Sequence, residues 1–294
     1  MIRLAIFPKS TIAIAMMMLS TAHLRAAVAV FQQGTPDPFT GLIYSGTEDV
    51  TLSTNREYPP IGLGPPVDHG FENFGGSDFI LAGNGSSVGV TVPAIERTLL
   101  RFDLRSFAGR FASIDAVTLR LRINQGSFTT IQAFAVTAAN ADWVEGDGKI
   151  SGFDSSDVGA STWAFKLQGS TIETGVPWAG NELAMRARGL GTAGIDYATP
   201  SLASFTISYP ISFVDLAFDD VSVVGQWAGG LNPGMLLRFA DETAAADIFY
   251  SSESTYVPSR PTLIVSYTPV PEPGTLSLLC AVIGMINARK LRRR

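Results

Sequence analysis

Hydrophobic and polar residues alternate along two stretches of the chain. In Leu99-Leu100-Arg101-Phe102-Asp103-Leu104, the residues Leu100, Phe102 and Leu104 share one face. In Val117–Ile123, the residues Val117, Leu119, Leu121 and Ile123 do so, with Arg120 and Arg122 on the other. A period of two marks a strand with one face buried and one wet. Further β-forming runs lie at Val50–Ser53, Phe79–Ala82, Thr130–Val136, Phe205–Ser208, Met235–Phe239, Ile248–Ser251 and Thr262–Tyr267. Gly, Asn and Pro separate them, as turns require. About nine strands with little helix predict an all-β antiparallel sandwich. One short helix is predicted over Val221–Trp227, where Asp219 or Asp220 is placed to cap and Val221, Val224 and Trp227 share a face.

The two ends break this pattern. Arg3 and Lys9 precede an apolar run, Thr11–Leu19, and Ala27-Val28-Ala29 offers a small-x-small cleavage site, with Ala22 an alternative. Positive, apolar, then small is the order of a secretory leader, so residues 1–29 are expected to direct export. At the other end Pro271-Glu272-Pro273 interrupts the strand pattern. Gly274–Ala288 follows without a charge, and Arg289, Lys290, Arg292, Arg293 and Arg294 close the chain. Fifteen residues of helix reach about 22 Å against a hydrocarbon core of about 30 Å, a short span. Terminal Lys and Arg favour the cytoplasmic side, which leaves the body outside.

Pro-Glu-Pro, a short apolar segment and an arginine cluster resemble the PEP-CTERM sorting signal, carried here by Pro271, Glu272, Pro273, Arg292, Arg293 and Arg294. The resemblance covers residues 270–294. It implies an exosortase-type processing protease as partner, transient anchoring in the inner membrane by the C-terminal helix, and display at the cell surface or in the extracellular matrix of a Gram-negative bacterium. The body between the ends, residues 30–269, is long enough for one large β domain.

Charge and residue counts prune the functions open to that body. The chain has 21 Lys and Arg against 26 Asp and Glu. Three basic residues lie in the leader, and five with Glu272 lie from Pro271 onward, so the body keeps 13 basic against 25 acidic residues, a net charge of −12. Such a surface repels nucleic acid. The one cysteine, Cys280, lies in the apolar tail, and His69 is the only histidine outside the leader, which excludes disulfides and multi-histidine zinc chemistry in the body. Gly85-Ser86-Ser87-Val88-Gly89 matches a nucleophile elbow in letters, but no histidine follows Ser87. Gly189–Gly194 matches a dinucleotide fingerprint without the strand and helix that one needs.

The order of short motifs carries a second resemblance. Asn73-Phe74-Gly75, Arg97–Leu104, Ala116–Leu121, Trp143-Val144-Glu145-Gly146, Ser161-Thr162-Trp163, Trp178-Ala179-Gly180, Asn232-Pro233-Gly234, Phe249–Glu253 and Arg260–Leu263 are similar in type and order to DNRLRE-type, disaggregatase-related domains over about Thr47–Tyr267. The resemblance implies a jelly-roll-like sandwich of the carbohydrate-binding-module kind that is not catalytic by itself. Long segments at Asn55–Gly70 and between Trp178 and Phe205 depart from the usual pattern.

A sugar site needs a ring face for the pyranose and planar polar groups for its hydroxyls. Candidates are Trp143, Trp178, Tyr58 and Tyr256, with Arg101, Arg120 and Arg122 from a stretch that holds six arginines between residues 97 and 122. Tryptophans ahead of turns are as readily core residues, and Arg120 and Arg122 as readily members of a cross-strand charge ladder. The acidic run Glu145, Asp147, Asp154 and Asp157 offers oxygen donors that suit Ca²⁺, although the spacing is not that of an EF-hand. The expected function is non-catalytic binding or organisation of extracellular polysaccharide. The alternatives are a structural matrix or adhesion protein and, third, a polysaccharide-degrading enzyme, for which adjacent Asp219 and Asp220 suit a helix cap better than a spaced catalytic pair.

Overall fold

The computed structural model describes residues 26–54, 56–57, 67–68, 72–85, 94–126, 128–149, 158–171, 174–180, 190–208 and 212–271. The sorting residues from Glu272 onward, the apolar tail, Tyr58, Ser87, Asp154 and Asp157 lie outside them. Among the described residues no helix is long and apolar enough to cross a membrane.

The described chain is mostly antiparallel sheet. Its strands are β1 (Ala27–Gln32), β2 (Thr47–Ser53), β3 (Arg56–Glu57), β4 (Val67–Asp68), β5 (Phe79–Gly85), β6 (Ala94–Phe102), β7 (Phe111–Gln125), β8 (Thr130–Ala135), β9 (Ala203–Thr206), β10 (Phe213–Ala217), β11 (Met235–Phe239), β12 (Asp247–Tyr250) and β13 (Thr262–Pro269). Eleven join in one hydrogen-bonded path, β1-β13-β7-β12-β5-β6-β11-β8-β9, with β10 added to β7 and β2 to β6, while β3 and β4 pair apart. The path doubles back at β12 and β5. One layer, β1-β13-β7-β10, then faces a second built of β2, β6, β11, β8 and β9. The alternating positions supply the filling: Val117, Leu119 and Leu121 of β7, Leu100 and Phe102 of β6, and Leu263 and Val265 of β13 share one buried cluster.

The second layer is also covered on its outer side. Val50 and Leu52 of β2, Leu99 of β6, Phe134 of β8 and Leu236 of β11 pack against Trp143, Trp163, Trp178 and Tyr197, all from the long connection between β8 and β9. The predicted helix is present as α1 (Ser222–Ala228), which buries Val223, Val224, Trp227 and Ala228. The Asp220 carboxylate accepts from the Ser222 amide at 2.9 Å, just ahead of it.

Two strands extend beyond the sequence pattern. β7 runs fifteen residues, because its first half continues beside the end of β13 through register shifts. β1 begins inside the segment assigned to the leader: Ala27, Val28 and Ala29 pair with Tyr267, Ser266 and Val265, and Ala29 is fully buried. A cut after Ala29 divides this strand, whereas one after Ala22 leaves it whole. β1 starts opposite the end of β13, so the chain enters and leaves the body at the same end of the sheet. The last described backbone bond, Val270 N–H to the Arg110 carbonyl, lies directly before Pro271.

Removing residues up to Ala29 deletes half of the β1 ladder at about 1 kcal/mol per bond. A chain begun at Val30 is expected to be about 2 to 4 kcal/mol less stable than one begun at His23, read as a lower urea midpoint. Equal midpoints would remove β1 from the folded unit.

Candidate functional site

The six clustered arginines do not form one surface. β6 and β7 are not neighbours, and the two layers send their arginines to different outer faces. On β6, Arg97 and Arg101 share the Leu99 face and lie beneath the loop layer. The Arg97 guanidinium stacks 4.9 Å from the Trp163 ring centre and that of Arg101 4.4 Å from the Trp143 ring. Arg97 also grips Glu242 through two bonds, at 2.6 and 2.9 Å. Arg101 pairs with Glu48 and donates to the Ala141 carbonyl at 2.9 Å. Trp143 and Trp178 are each 1 % exposed. Their indole N–H groups donate inward, Trp143 to the Pro233 carbonyl and Trp178 to that of Thr162. Neither ring offers a face to a sugar. A deeply buried indole with a satisfied N–H is structural packing.

The arginines of β7 have another setting. Arg120 is locked to Asp215 across β10 by bonds of 2.7 and 2.8 Å, the expected charge ladder with a different partner strand. Each group of this pair pulls the other's titration outward: the hydrogen bond to Arg120 holds Asp215 below the usual carboxylate range. Arg122 sits among three rings, 5.9 Å from Phe213, 5.4 Å from Tyr250 and 5.3 Å from Tyr256. Phe213 is 42 % and Tyr256 57 % exposed. The Tyr250 hydroxyl donates to Asn124 at 3.2 Å. Three of the expected residues, Arg120, Arg122 and Tyr256, are thus brought together with three the pattern had not marked, Phe213, Tyr250 and Asn124. Leu119 and Leu121 point into the core, so this group stands on the outer face of β10, β7 and β12.

Acidic residues converge elsewhere. Asp49 on β2, Glu145 after Trp143, and Glu253 in the turn after β12 each place a carboxylate oxygen within 4.8 Å of the others. Asp49 is fully buried; its Oδ2 accepts from the Ser252 amide at 2.7 Å, and its own amide donates to Glu145 Oε1 at 2.6 Å. Its Oδ1 is buried with no hydrogen-bond partner. Both Glu253 oxygens accept from the Ser252 hydroxyl at 2.8 Å.

The Glu145 loop is held in place by the Asn73-Phe74-Gly75 turn. The Asn73 side chain donates to the carbonyls of Glu145 at 2.5 Å and Ser161 at 2.8 Å, and its oxygen accepts from the amides of Gly75 and Gly148. A Cβ at Gly75 would lie 2.1 Å from the Glu145 carbonyl oxygen, so glycine is required for the approach. Burial, then the charge of Asp49, pushes the Glu145 carboxyl up to about 9. Burial and the charge of Glu253 raise Asp49, and burial raises Glu253.

Of the two expected oxygen donors among the described residues, Glu145 joins this group and Asp147 does not. Asp147 is exposed in the adjoining loop, and Asp49 and Glu253 enter from strands and turns far along the chain. A different carboxyl, Glu96, stands apart on the inner side of β6 with Oε2 buried and unpartnered, and burial pushes it up to about 7. Comparison with protein-family models returned no match, and neither did a search of curated proteins.

Trp143→Ala is expected to cost about 3 to 5 kcal/mol, whereas Tyr256→Ala should change stability by less than about 0.5 kcal/mol. Urea unfolding of both measures the contrast, and similar costs would contradict the division between core and surface rings. For Glu96 the folded value of about 7 exceeds the ordinary 4.5, so the folded state holds the proton more tightly and its stability falls as pH rises between those values. Glu96→Gln removes this fall. The variant should gain on the parent by up to about 3 kcal/mol between pH 5 and pH 8, and a constant difference across that range would show that Glu96 titrates normally.

Proposed function

We propose that this chain is an exported, surface-sorted, non-catalytic protein that binds extracellular polysaccharide through the outer face of β10, β7 and β12. The observation that carries the reading is Arg122 set among Phe213, Tyr250 and Tyr256, two of these rings being well exposed. Exposed rings stack on the apolar face of a pyranose, and a guanidinium held among them is oriented to meet hydroxyls or a uronic carboxylate. The body carries a net charge of −12, so an acidic glycan would be attracted only locally, at Arg122, since Arg120 is paired with Asp215. Export and sorting rest on the leader pattern and on the Pro-Glu-Pro, apolar and arginine-rich tail, with an exosortase-type protease as the processing partner. The jelly-roll-like carbohydrate-binding-module identity belongs to the same reading and rests on the order of the motifs.

A second reading, a structural matrix or adhesion protein, is favoured by one observation. All four tryptophans, Trp143, Trp163, Trp178 and Trp227, are buried. A module whose largest rings all serve its own packing has less aromatic surface for a ligand.

Affinity electrophoresis in gels containing neutral or anionic polysaccharides separates the two. The parent chain is expected to be retarded by one glycan class, and Tyr256→Ala and Arg122→Ala to weaken that binding about tenfold each. Retardation that both variants keep would place binding elsewhere. No retardation by any glycan would leave the matrix reading.

A further inference from the structure

We propose that Asp49, Glu145 and Glu253 form a Ca²⁺ site that ties β2, the loop after Trp143 and the turn after β12 together. The site is separate from the arginine-aromatic face and does not depend on the glycan reading.

Three observations support it. First, the geometry suits a cation of this size. Oxygens bound on opposite sides of Ca²⁺ at about 2.4 Å lie about 4.8 Å apart, and one oxygen of each carboxylate falls within that distance of the other two. Second, Asp49 Oδ1 is fully buried and has no hydrogen-bond partner, while Oδ2 of the same carboxylate is satisfied by the Ser252 amide. A buried oxygen left unpaired carries the full desolvation cost, which a bound ion removes. Third, no basic side chain forms an ion pair with these carboxylates among the described residues. Arg260 attracts Glu253, but its guanidinium is spent on the carbonyls of Ser254 and Gln33.

The donor set selects the ion. Three carboxylates without histidine or cysteine favour a hard cation over zinc or copper. Mg²⁺ demands near-ideal octahedral geometry at about 2.1 Å and keeps its water, whereas Ca²⁺ tolerates irregular clusters of carboxylates. The surrounding bonds also look built for the purpose. Asn73 fixes the Glu145 loop through bonds to the Glu145 carbonyl and the Gly148 amide, and the Ser252 amide and hydroxyl aim Asp49 and Glu253. Such outer partners orient ligands before the metal arrives.

Thermal unfolding of the purified protein in Ca²⁺, in Mg²⁺ and in EDTA tests the site. It is paired with terbium luminescence sensitised by Trp143, two residues from Glu145. At a hundredfold excess over Kd, Ca²⁺ should raise Tm by about 5 to 10 °C, Mg²⁺ by much less, and added Ca²⁺ should displace the terbium signal. Asp49→Asn and Glu253→Gln should each abolish the shift and the signal. In EDTA both should melt no lower than the parent, since each removes a charge from the cluster. Should Asp49→Asn fail to fold, Glu253→Gln, at a less buried position, carries the same test. Identical melting of the parent in Ca²⁺ and EDTA without terbium emission would overturn the proposal. A Ca²⁺ shift that survives in Glu253→Gln would overturn it equally, by placing the ion elsewhere.

Discussion

β6 is buried on both faces, and most of the structure answers to that. Its inner residues Leu100 and Phe102 join the sandwich core, while Leu99 joins the cluster under the loop layer. Arg97 and Arg101 share the Leu99 face and so lie where water cannot reach them freely. A guanidinium in that position needs a carboxylate, a ring face or carbonyls in place of water, and losing one partner of a buried pair is far costlier than losing a surface pair. Glu242 and Glu48 supply the charge and Trp163 and Trp143 the rings. Trp143 and Trp163 are consumed by this duty, while Trp178 packs in the same cluster and Trp227 in the sandwich core, so all four tryptophans are absent from the surface.

The described part of the loop layer thus acquires a fixed position with little regular structure, a 3-10 turn at Ala138–Asn140 and isolated bridges such as Leu167 to Val176. Buried polar side chains replace the missing ladder: Asn73 binds the carbonyls of Glu145 and Ser161, Ser161 accepts from the Val144 amide, and Asp196 accepts from the amides of Gly180 and Thr192. Gly194, in the glycine run that resembles a dinucleotide fingerprint, takes a positive φ of 82° in the turn around Asp196. Its role is to close a turn.

Strands whose residues alternate were legible because burial of one face imposes the period. β6, β7, β11 and β13 follow their patterns, and α1 follows its shared apolar face. β1 was not, because alanine and valine after an apolar run satisfy a cleavage pattern and a strand pattern equally. β10 was missed as well: Phe213-Val214-Asp215-Leu216 alternates, but over too few residues to stand out. For the candidate sites, six arginines close in sequence were split because consecutive strands need not be neighbours. Tyr256, Arg120 and Arg122 met because β10 and β12 both pair with β7. Asp49 and Glu253 had no local spacing to betray them; the only signal was an aspartate in a strand whose neighbours Val50 and Leu52 already claim the other face.

Convergence of Asp49, Glu145 and Glu253 from three distant segments imposes a further condition. Like charges packed this closely and shielded from water cannot all remain ionised unaided: burial raises the titration of all three, and neighbouring carboxylates raise Asp49 and Glu145 further. A proton on one carboxyl relieves part of it, but a proton satisfies a single oxygen and leaves the segments loosely matched. A divalent ion neutralises two charges and engages oxygens from all three segments at once. The turn after β12 leads through Arg260 into β13, which pairs with both β7 and β1. Neutralising this cluster therefore secures the loop layer and the closing strand of the sandwich together.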